Sequence, residues 1–340
     1  MVLNPAGQLI PAGPELERLM SAWSLLESQR DVLRAAGGAC ALIYRAQGVA
    51  DERTGFASSS LGLAVLTPLL RLVRRFREPV LSPVAGFHDL GLEDPRCTRV
   101  GERYVVYYTG FASCCDERAG RTVRVCAAST DDFLSWELHG RVEHDWGPLP
   151  NKNAALLPGP IEALGGLFVL LHRPMAGPDP MAVHWAVSEG PLGPWSTRGS
   201  LMRAYRYREF VSSWVGAGGP PLALGEGRFL MIYHLGHFTP EGRREYDLAA
   251  ALLDFEEKEP VRARIEPLMR PTGLAETEGD DALGVDNVLF TCANYAWRQK
   301  LVVPYAGADS RIFGATVDLD VLVEALEARA GSSQGGRTSV

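Results

Sequence analysis

The clearest candidate for acid–base chemistry is Asp94, in the hexapeptide GLEDPR (residues 91–96). Pro95 restricts the backbone of the residue before it and disfavours a right-handed helix there. This favours a conformation that aims one carboxylate into a cleft, with Glu93 and Arg96 on either side. An ordinary Asp-Pro turn is the alternative that the hexapeptide alone leaves open.

Three further side chains stand beside strand-like apolar runs and could bind an anion. Lys152 lies between Asn151 and Asn153, ahead of an apolar run, whereas Arg173 and His234 each come at the end of one. Cationic groups held close together bind anionic ligands such as phosphate. Hydrogen bonds to neighbouring loops, with a purely structural role, are the alternative for each of them.

The elements that position these residues repeat along the chain. The phrases ALIYRA, VVYYTG, VLLHRP, LMIYHL and LVVPYAG each contain a run of apolar residues, then Tyr or His, then a variable residue. The variable positions are Arg45, Thr109, Arg173, His234 and Ala306. Strand-like phrases at a regular interval predict an all-β protein, a five-bladed β-propeller with four strands in each blade. Corresponding residues would then converge on a central funnel, with Tyr108, Tyr233 and Asp309 nearby.

Helix is predicted only near the two ends. The apolar stripe within residues 15–36, from Leu16 through Leu26 to Leu33, fits a helix after Pro14, and a partly extended segment is the alternative. Residues 318–330 predict a short C-terminal helix that closes the domain. We expect one domain over residues 1–330 and a disordered Gly/Ser-rich tail over 331–340.

Composition excludes several classes of protein. The net charge of −7 argues against a nucleic-acid surface or an anionic membrane as partner. No apolar run approaches the length of about 20 residues that a membrane helix needs, and the N-terminal segment lacks signal-peptide features, which favours the cytoplasm. The six cysteines form no C-x2-C pair, so no metal site is expected. Cys114 and Cys115 are adjacent and could be redox-active, or an incidental loop pair.

An ordered set of motifs resembles a known family. GLEDPR, NKNAALLP, LLHRP, GAGGPP, IYHLG, AAALLD, NVLF and YAGAD occur in this order between residues 43 and 326. Together they resemble glycoside hydrolase family 130, the β-mannoside phosphorylases and their β-mannosidase relatives. The resemblance implies a five-bladed β-propeller, in agreement with the repeat.

The resemblance also implies roles for individual residues. Asp94 matches the catalytic general acid, which passes its proton to the glycosidic oxygen through a sugar hydroxyl. Lys152, Arg173 and His234 match phosphate-binding positions, and Asp309 matches a sugar-binding aspartate. The other residues expected to contact substrate are Arg45, Glu93, Arg96, Asn151 and Asn153.

These roles imply an inverting phosphorylase that cleaves β-mannosides with inorganic phosphate and yields α-mannose 1-phosphate. Phosphate is the co-substrate, and no metal or organic cofactor is implied. Because phosphate is already an anion, the reaction needs cations rather than a second carboxylate. An inverting β-mannosidase is one alternative, with Glu209, Asp247 and Glu276 as candidates for the second carboxylate. The sequence leaves the linkage, the acceptor sugar and a homo-oligomer open.

Two departures from the family pattern support a third alternative, a non-catalytic carbohydrate-binding propeller. The family carries an Asn-Pro dipeptide ahead of its L-x-Y-R-A phrase, but residues 31–46 read DVLRAAGGACALIYRA. We therefore expect that a sugar-contacting asparagine is missing. The basic segment of residues 65–78 also replaces a polar turn of the family.

Overall fold

A computed structural model describes residues 4–48, 57–85, 88–113, 121–204, 213–225, 227–238, 241–279 and 285–335. These residues are predominantly β, and their strands fall into five consecutive antiparallel groups. Group 1 contains β1 (Pro5–Pro11), β2 (Gly38–Gln47), β3 (Ser59–Leu66) and β4 (Leu72–Arg75). Group 2 contains β5 (Gly91–Val100), β6 (Arg103–Ser113), β7 (Arg121–Thr130) and β8 (Glu137–Arg141). Group 3 contains β9 (Asn151–Leu156), β10 (Phe168–Pro174), β11 (Val183–Ser188) and β12 (Ser196–Met202).

The last two groups complete the β structure. Group 4 contains β13 (Ser213–Ala217), β14 (Leu222–Gly225), β15 (Arg228–Phe238), β16 (Arg244–Asp254) and β17 (Val261–Met269). Group 5 contains β18 (Leu289–Phe290), β19 (Tyr295–Trp297), β20 (Lys300–Gly307) and β21 (Arg311–Asp318). Groups 1 and 2 share one eight-stranded sheet, joined by a single parallel pairing of Ser59 with Gly91, and each other group is a sheet of its own.

The five repeated phrases are confirmed as strands. They lie in β2, β6, β10, β15 and β20, one in each group. These strands are apolar on both faces because both faces are covered. In β10, Val169 and Leu171 pack into a cluster shared with group 4, whereas Leu170 packs into a cluster shared with group 2. A continuous apolar run is therefore what this environment requires.

Five apolar clusters hold the groups together, and each lies between neighbours along the chain or between the two ends. Clusters join groups 1 and 2, 2 and 3, 3 and 4, and 4 and 5. The fifth cluster joins group 5 to group 1 through Tyr295 and Val302 against Leu42, Tyr44 and Leu66. The first and last groups are therefore packed against each other.

Four α-helices accompany the strands in the described residues: α1 (Pro14–Ala22), α2 (Glu27–Ala36), α3 (Leu274–Thr277) and α4 (Leu319–Gly335). The N-terminal segment is helical rather than extended, but it forms two helices. Leu26 was expected on the buried stripe, yet it is 67% exposed because it stands at the junction just before α2. None of these helices has both the length and the apolar composition to cross a membrane.

The C-terminal helix is longer than its apolar pattern predicts. Leu322 and Leu326 bury its apolar side against group 4 and group 5. It ends at Gly335, within the segment expected to be disordered. The helix can extend this far because each residue added to an existing helix contributes a further hydrogen bond. Residues 336–340 lie outside the described residues.

Candidate active site

A cleft of about 110 Å³ receives residues from all five strand groups. Its charged and amide side chains are Asn4, Arg45, Glu93, Asp94, Lys152, Arg244 and Asp309, and its other lining residues are Tyr246, Val285, Val288 and Phe290. A larger cavity of about 300 Å³ between β2, β3 and β21 is mainly apolar. The small cleft therefore brings together five of the predicted site residues, namely Arg45, Glu93, Asp94, Lys152 and Asp309.

A β-bulge presents Asp94. The pairing of β5 with β6 shifts register between Glu93 and Arg96, so that Asp94 and Pro95 together stand opposite Tyr108. Proline suits a bulge because it has no N–H group to contribute to the ladder. Asp94 adopts φ 51°, in the left-handed region, so the expected exclusion of a right-handed helix holds. This uncommon conformation for a non-glycine residue turns the carboxylate out of the sheet and into the cleft.

Lys152 is presented by the same device in the next group. In the pairing of β9 with β10, Asn153 and Ala154 together stand opposite His172, and Lys152 pairs with Arg173. Asn153 adopts φ 58°, which asparagine tolerates better than most residues. The acid therefore comes from the bulged strand β5, and the two cations come from β9, which is also bulged, and its partner β10 in the next group.

The carboxylate of Asp94 is buried and 3% exposed. Burial opposes its ionisation, but the charges of Lys152, Arg96 and Arg45 outweigh that effect and hold its pKa below the usual range. Its Oδ1 also accepts a hydrogen bond of 2.6 Å from Asn4 Nδ2. Asp94 is therefore ionised at neutral pH in the free protein.

The prediction that an N-terminal asparagine is missing is wrong. Asn4 precedes Pro5 at the start of β1, lines the cleft and contacts Asp94 directly. β1 pairs with β2, and the helices α1 and α2 are inserted between the two strands. The Asn-Pro dipeptide is therefore separated from the LIYRA phrase by two helices. Because of this long separation in sequence, the motif pattern did not identify it.

Arg45, Glu93 and Asp309 form the other wall of the cleft. Arg45 and Glu93 make an ion pair, with side chains 11% and 14% exposed. Asp309 follows β20 with φ 51°, and its Oδ1 has no hydrogen-bond partner among the described residues. Burial raises the pKa of Asp309 to about 6; Arg45 works against this rise, and the negative charge of Asp94 adds to it.

Arg173 does not line the cleft but pairs in the sheet with the lining residue Lys152, and it is buried and 3% exposed. Its Nε and Nη1 atoms find no hydrogen-bond partner in the described part of the chain, and neither do the amide atoms of Asn153. Both side chains flank Gly216, where an added Cβ would stand 3.0 Å from Arg173 Nη1 and 3.4 Å from Asn153 Cγ. The glycine of VGAGG therefore makes room for this arginine. Buried donors of this kind are normally satisfied, so they mark a site for a polar ligand.

His234 is not the cation that the sequence predicts. It is fully buried, its ring stacks on Phe290 at 3.8 Å, and Nε2 lies 2.7 Å from the carbonyl oxygen and 3.0 Å from the amide nitrogen of Thr291. Burial, reinforced by the charge of Arg96, holds its pKa well below the usual range. His234 is therefore neutral, and only its unpartnered Nδ1 is left for a ligand.

Arg96 and Asn151 were also expected to contact substrate, but neither lines the cleft. Arg96 donates to the carbonyl oxygens of Gly218 (2.7 Å), Ala217 (2.8 Å) and Asp94 (2.8 Å), and so braces the bulge. The side-chain nitrogen of Asn151 lies 2.9 Å from Nδ1 of the buried His172.

The tyrosines placed near the funnel by the repeat also lie outside the cleft lining. The buried hydroxyl of Tyr108 has no hydrogen-bond partner among the described residues, and Tyr233 donates to Glu266.

Of the carboxylates proposed for hydrolysis, Asp247 and Glu276 do not line the cleft. Asp247 is buried with its Oδ2 3.6 Å from Arg270 Nε. Glu276 caps α3, since its Oε2 accepts hydrogen bonds from the backbone N–H groups of Thr272 and Gly273, and its Oε1 accepts one from the Tyr305 hydroxyl, so both oxygens are engaged. Glu209 lies outside the described residues, as do Cys114 and Cys115.

Four other cysteines, Cys40, Cys97, Cys126 and Cys292, are free and buried. Within the described ranges, no cluster of three or more His, Cys, Asp or Glu side chains could hold a metal ion.

Sequence reasoning missed Arg244 and Tyr246, which line the cleft from β16. They are two residues apart and therefore share one face of the strand. The AAALLD motif lies further along the same strand, so the polar residues that precede it were a signal for this part of the cleft.

Comparison with known proteins places this architecture in a family. A family model described as β-1,4-mannooligosaccharide phosphorylase matches residues 41–328. A 1,2-β-oligomannan phosphorylase of Thermoanaerobacter sp. (strain X514) is 33% identical over 280 residues, 82% of this chain and 85% of that protein.

Solved structures agree with this assignment. The β-1,2-mannobiose phosphorylase from Listeria innocua, in complex with β-1,2-mannobiose, matches 80% of this chain and 70% of its own with a TM-score of 0.65 and 25% identity. A structure reported with glycoside hydrolases that target β-1,2 mannosidic linkages in Candida mannan shares the fold, with a TM-score of 0.67 and 21% identity over 83% of this chain and 81% of its own. The chain belongs to glycoside hydrolase family 130.

Proposed function

We propose that this protein is an inverting glycoside phosphorylase that cleaves β-mannosides with inorganic phosphate and releases α-mannose 1-phosphate. The observation that carries the proposal is a single bulge-presented carboxylate, Asp94, beside the cations Lys152 and Arg173. Arg173 is buried with two N–H-bearing nitrogens unpartnered among the described residues, an arrangement suited to an anion. Phosphate needs no base to activate it, so cations that hold it beside the anomeric carbon are sufficient.

The proposed architecture is a five-bladed β-propeller with one blade in each strand group. Five apolar clusters between successive groups, including the one between group 5 and group 1, support a closed ring. A hydrogen bond of 3.1 Å from the backbone N–H of Cys292 to the carbonyl oxygen of Pro5 also links its two ends. A ring of this kind explains why all five groups contribute to one cleft.

The proposed reaction needs a protonated Asp94, and bound phosphate favours that protonated form. In the free protein Lys152 keeps the carboxyl ionised, although a general acid must carry a proton. A phosphate dianion beside Lys152 and Arg173 offsets their charge and therefore raises the pKa of Asp94. Proton uptake by the acid thus accompanies binding of the nucleophile. In the reverse direction the ionised Asp94 serves as the base.

We propose a β-1,2 linkage for the substrate, because the oligomannan phosphorylase and the mannobiose phosphorylase that this chain resembles are both named for that linkage. The mannosyl unit that is transferred would contact Asn4, Arg45 and Asp309, on the wall of the cleft away from Arg173. A cytoplasmic location is part of the proposal, since the four described cysteines are free thiols, as in a reducing compartment.

Hydrolysis is the second candidate, and Asp309 is the observation that favours it. It is a second carboxylate in the same cleft as Asp94, with one oxygen unpartnered in the described residues. Inverting hydrolases need such a pair, about 6.5–9.5 Å apart, so that one member activates water. Its raised pKa leaves Asp309 largely ionised at neutral pH, as a base requires.

Product analysis on β-1,2- and β-1,4-mannobiose, with and without inorganic phosphate, separates the candidates. Phosphorolysis predicts mannose 1-phosphate only when phosphate is present, β-1,2-mannobiose as the better substrate, and no product from the Asp94→Asn variant. Free mannose released at equal rates in both conditions would refute phosphorolysis and support hydrolysis. Sugar binding without turnover, unchanged in Asp94→Asn, would refute both and indicate a non-catalytic propeller.

A further inference from the structure

Arg244 stands at the mouth of the cleft and has no role in the reaction as described so far. It begins β16, is exposed to solvent, and lines the cleft together with Asp94 and Lys152. Its strand partner on β15 is Phe238, and its guanidinium lies 5.8 Å from the centre of the Phe238 ring. The guanidinium lies over the face of the ring, a contact that does not use its N–H groups as hydrogen-bond donors.

The charge of Arg244 differs from that of the other cations that line the cleft. Arg45 forms an ion pair with Glu93, and Lys152 interacts with the carboxylate of Asp94. For Arg244, the described part of the chain provides no carboxylate within ion-pair distance. It is therefore a cation on the cleft wall that forms no ion pair with the described residues.

Tyr246 connects this exposed cation to the buried one. Burial raises the pKa of the Tyr246 hydroxyl, and the guanidinium groups of Arg173 and Arg244 both act to lower it. The hydroxyl therefore lies in the field of both arginines. Arg173 is 3% exposed and pairs in the sheet with the lining residue Lys152, whereas Arg244 is exposed, so the two cations lie on the buried and the exposed side of Tyr246.

We propose that Arg244 is the entry contact for the phosphate group of the co-substrate and of the sugar 1-phosphate. The inference rests on the proposed phosphorolysis and extends it. Arg244 captures the phosphate dianion at the mouth, and the anion then moves past Tyr246 to the unpartnered donors of Arg173. A neutral mannoside gains nothing from this charge, so Arg244 determines the affinity for the anion and not for the sugar.

The test compares Arg244→Gln with Arg243→Gln in initial-rate kinetics. Arg243 is also exposed, and its replacement removes the same charge one residue away, outside the cleft lining. In Arg244→Gln we expect the KM for inorganic phosphate, and in synthesis the KM for α-mannose 1-phosphate, to rise about tenfold. The KM for mannobiose stays within about twofold, and kcat/KM for phosphate becomes less sensitive to salt. Arg243→Gln keeps the kinetics of the unmodified protein, and Arg244→Lys restores part of the loss.

Three results would overturn the inference. They are an unchanged phosphate KM in Arg244→Gln, an increase confined to the mannobiose KM, or equal increases in both arginine variants. Calorimetric titration with inorganic phosphate separates this test from that of the reaction itself. If the unmodified protein releases mannose without phosphate, phosphorolysis fails, but weaker phosphate binding by Arg244→Gln than by Arg243→Gln still supports an anion contact. If the unmodified protein binds no phosphate, both proposals fail.

Discussion

Two buried arginines provide a matched test of the site, because they are alike in burial and opposite in bonding. Arg96 is 1% exposed and Arg173 is 3% exposed. Arg96 donates three hydrogen bonds of 2.7–2.8 Å to backbone carbonyl oxygens. Arg173 has Nε and Nη1 without a partner in the described residues. Substitution by methionine removes the charge in both cases and keeps a long apolar side chain.

The expected effects follow from these bonds. Arg96→Met leaves three buried carbonyl oxygens without their donor, and breaking a buried charged network costs about 3–5 kcal/mol of unfolding free energy. Arg173→Met removes a buried charge that burial already disfavours, so the free energy of unfolding stays equal or rises. It also removes a charge-assisted contact to phosphate worth about 1.5–3 kcal/mol, which raises the phosphate KM about 10- to 150-fold.

Thermal unfolding of both variants, combined with phosphate-dependent initial rates, measures the two effects separately. We expect Tm to fall in Arg96→Met and to hold or rise in Arg173→Met, while the phosphate KM rises steeply in Arg173→Met. A phosphate KM that Arg173→Met leaves unchanged would remove this residue from the site. A large fall of Tm in Arg173→Met would show that its donors are structural, and the reasoning from unpartnered atoms would be wrong.

The remaining predictions concern carboxyl groups. Asn4→Ala and Lys152→Met should each raise the pKa of Asp94, because each removes a group that favours its ionised form; carboxyl NMR titration measures the shift, and an unmoved pKa contradicts the assignment. Asp309→Asn should raise Tm above about pH 6, with the gain lost as pH falls toward 4. The folded pKa of Asp309 is raised from 3.8 to about 6, so its ionisation opposes folding by up to about 3 kcal/mol. A Tm difference that does not vary with pH would refute this account.

Much of the strand structure could be predicted from the chain, because its strands are buried on both faces. A run such as VLLHRP can remain apolar at every position only if both sides of the strand are covered, as the two clusters around Leu170 and Leu171 show. The same repeat predicted that Arg45 and Arg173 approach one region from different groups. Of these two residues, Arg45 lines the cleft, whereas Arg173 does not line it and is its strand neighbour only through Lys152, so the convergence of the repeat positions stays a prediction.

The missed features depend on distances that spacing does not encode. Asn4 reaches Asp94 from a strand that two helices separate from the LIYRA phrase, so its position depends on pairing between β1 and β2. The charge of His234 could not be read from its residue type, because burial against Phe290 decides its protonation. The left-handed conformation of Asp94 arises from a bulge, which requires knowledge of the partner strand.

The charges around Asp94 explain why the proposed reaction would use phosphate rather than water as its nucleophile. Lys152 keeps the acid ionised, and an ionised acid cannot protonate a leaving group. Water is neutral and does nothing to this charge balance, whereas phosphate offsets it. The acid therefore becomes competent only when the nucleophile is present, and a mannoside bound alone is not cleaved by water.

By this reasoning, a variant that lacks Lys152 should lose much of its dependence on phosphate for protonation of Asp94, even though it binds phosphate less well. The pKa of Asp94, titrated with and without phosphate, should move in the unmodified protein and move far less in Lys152→Met. Equal movement in both proteins would show that Lys152 does not link the two events.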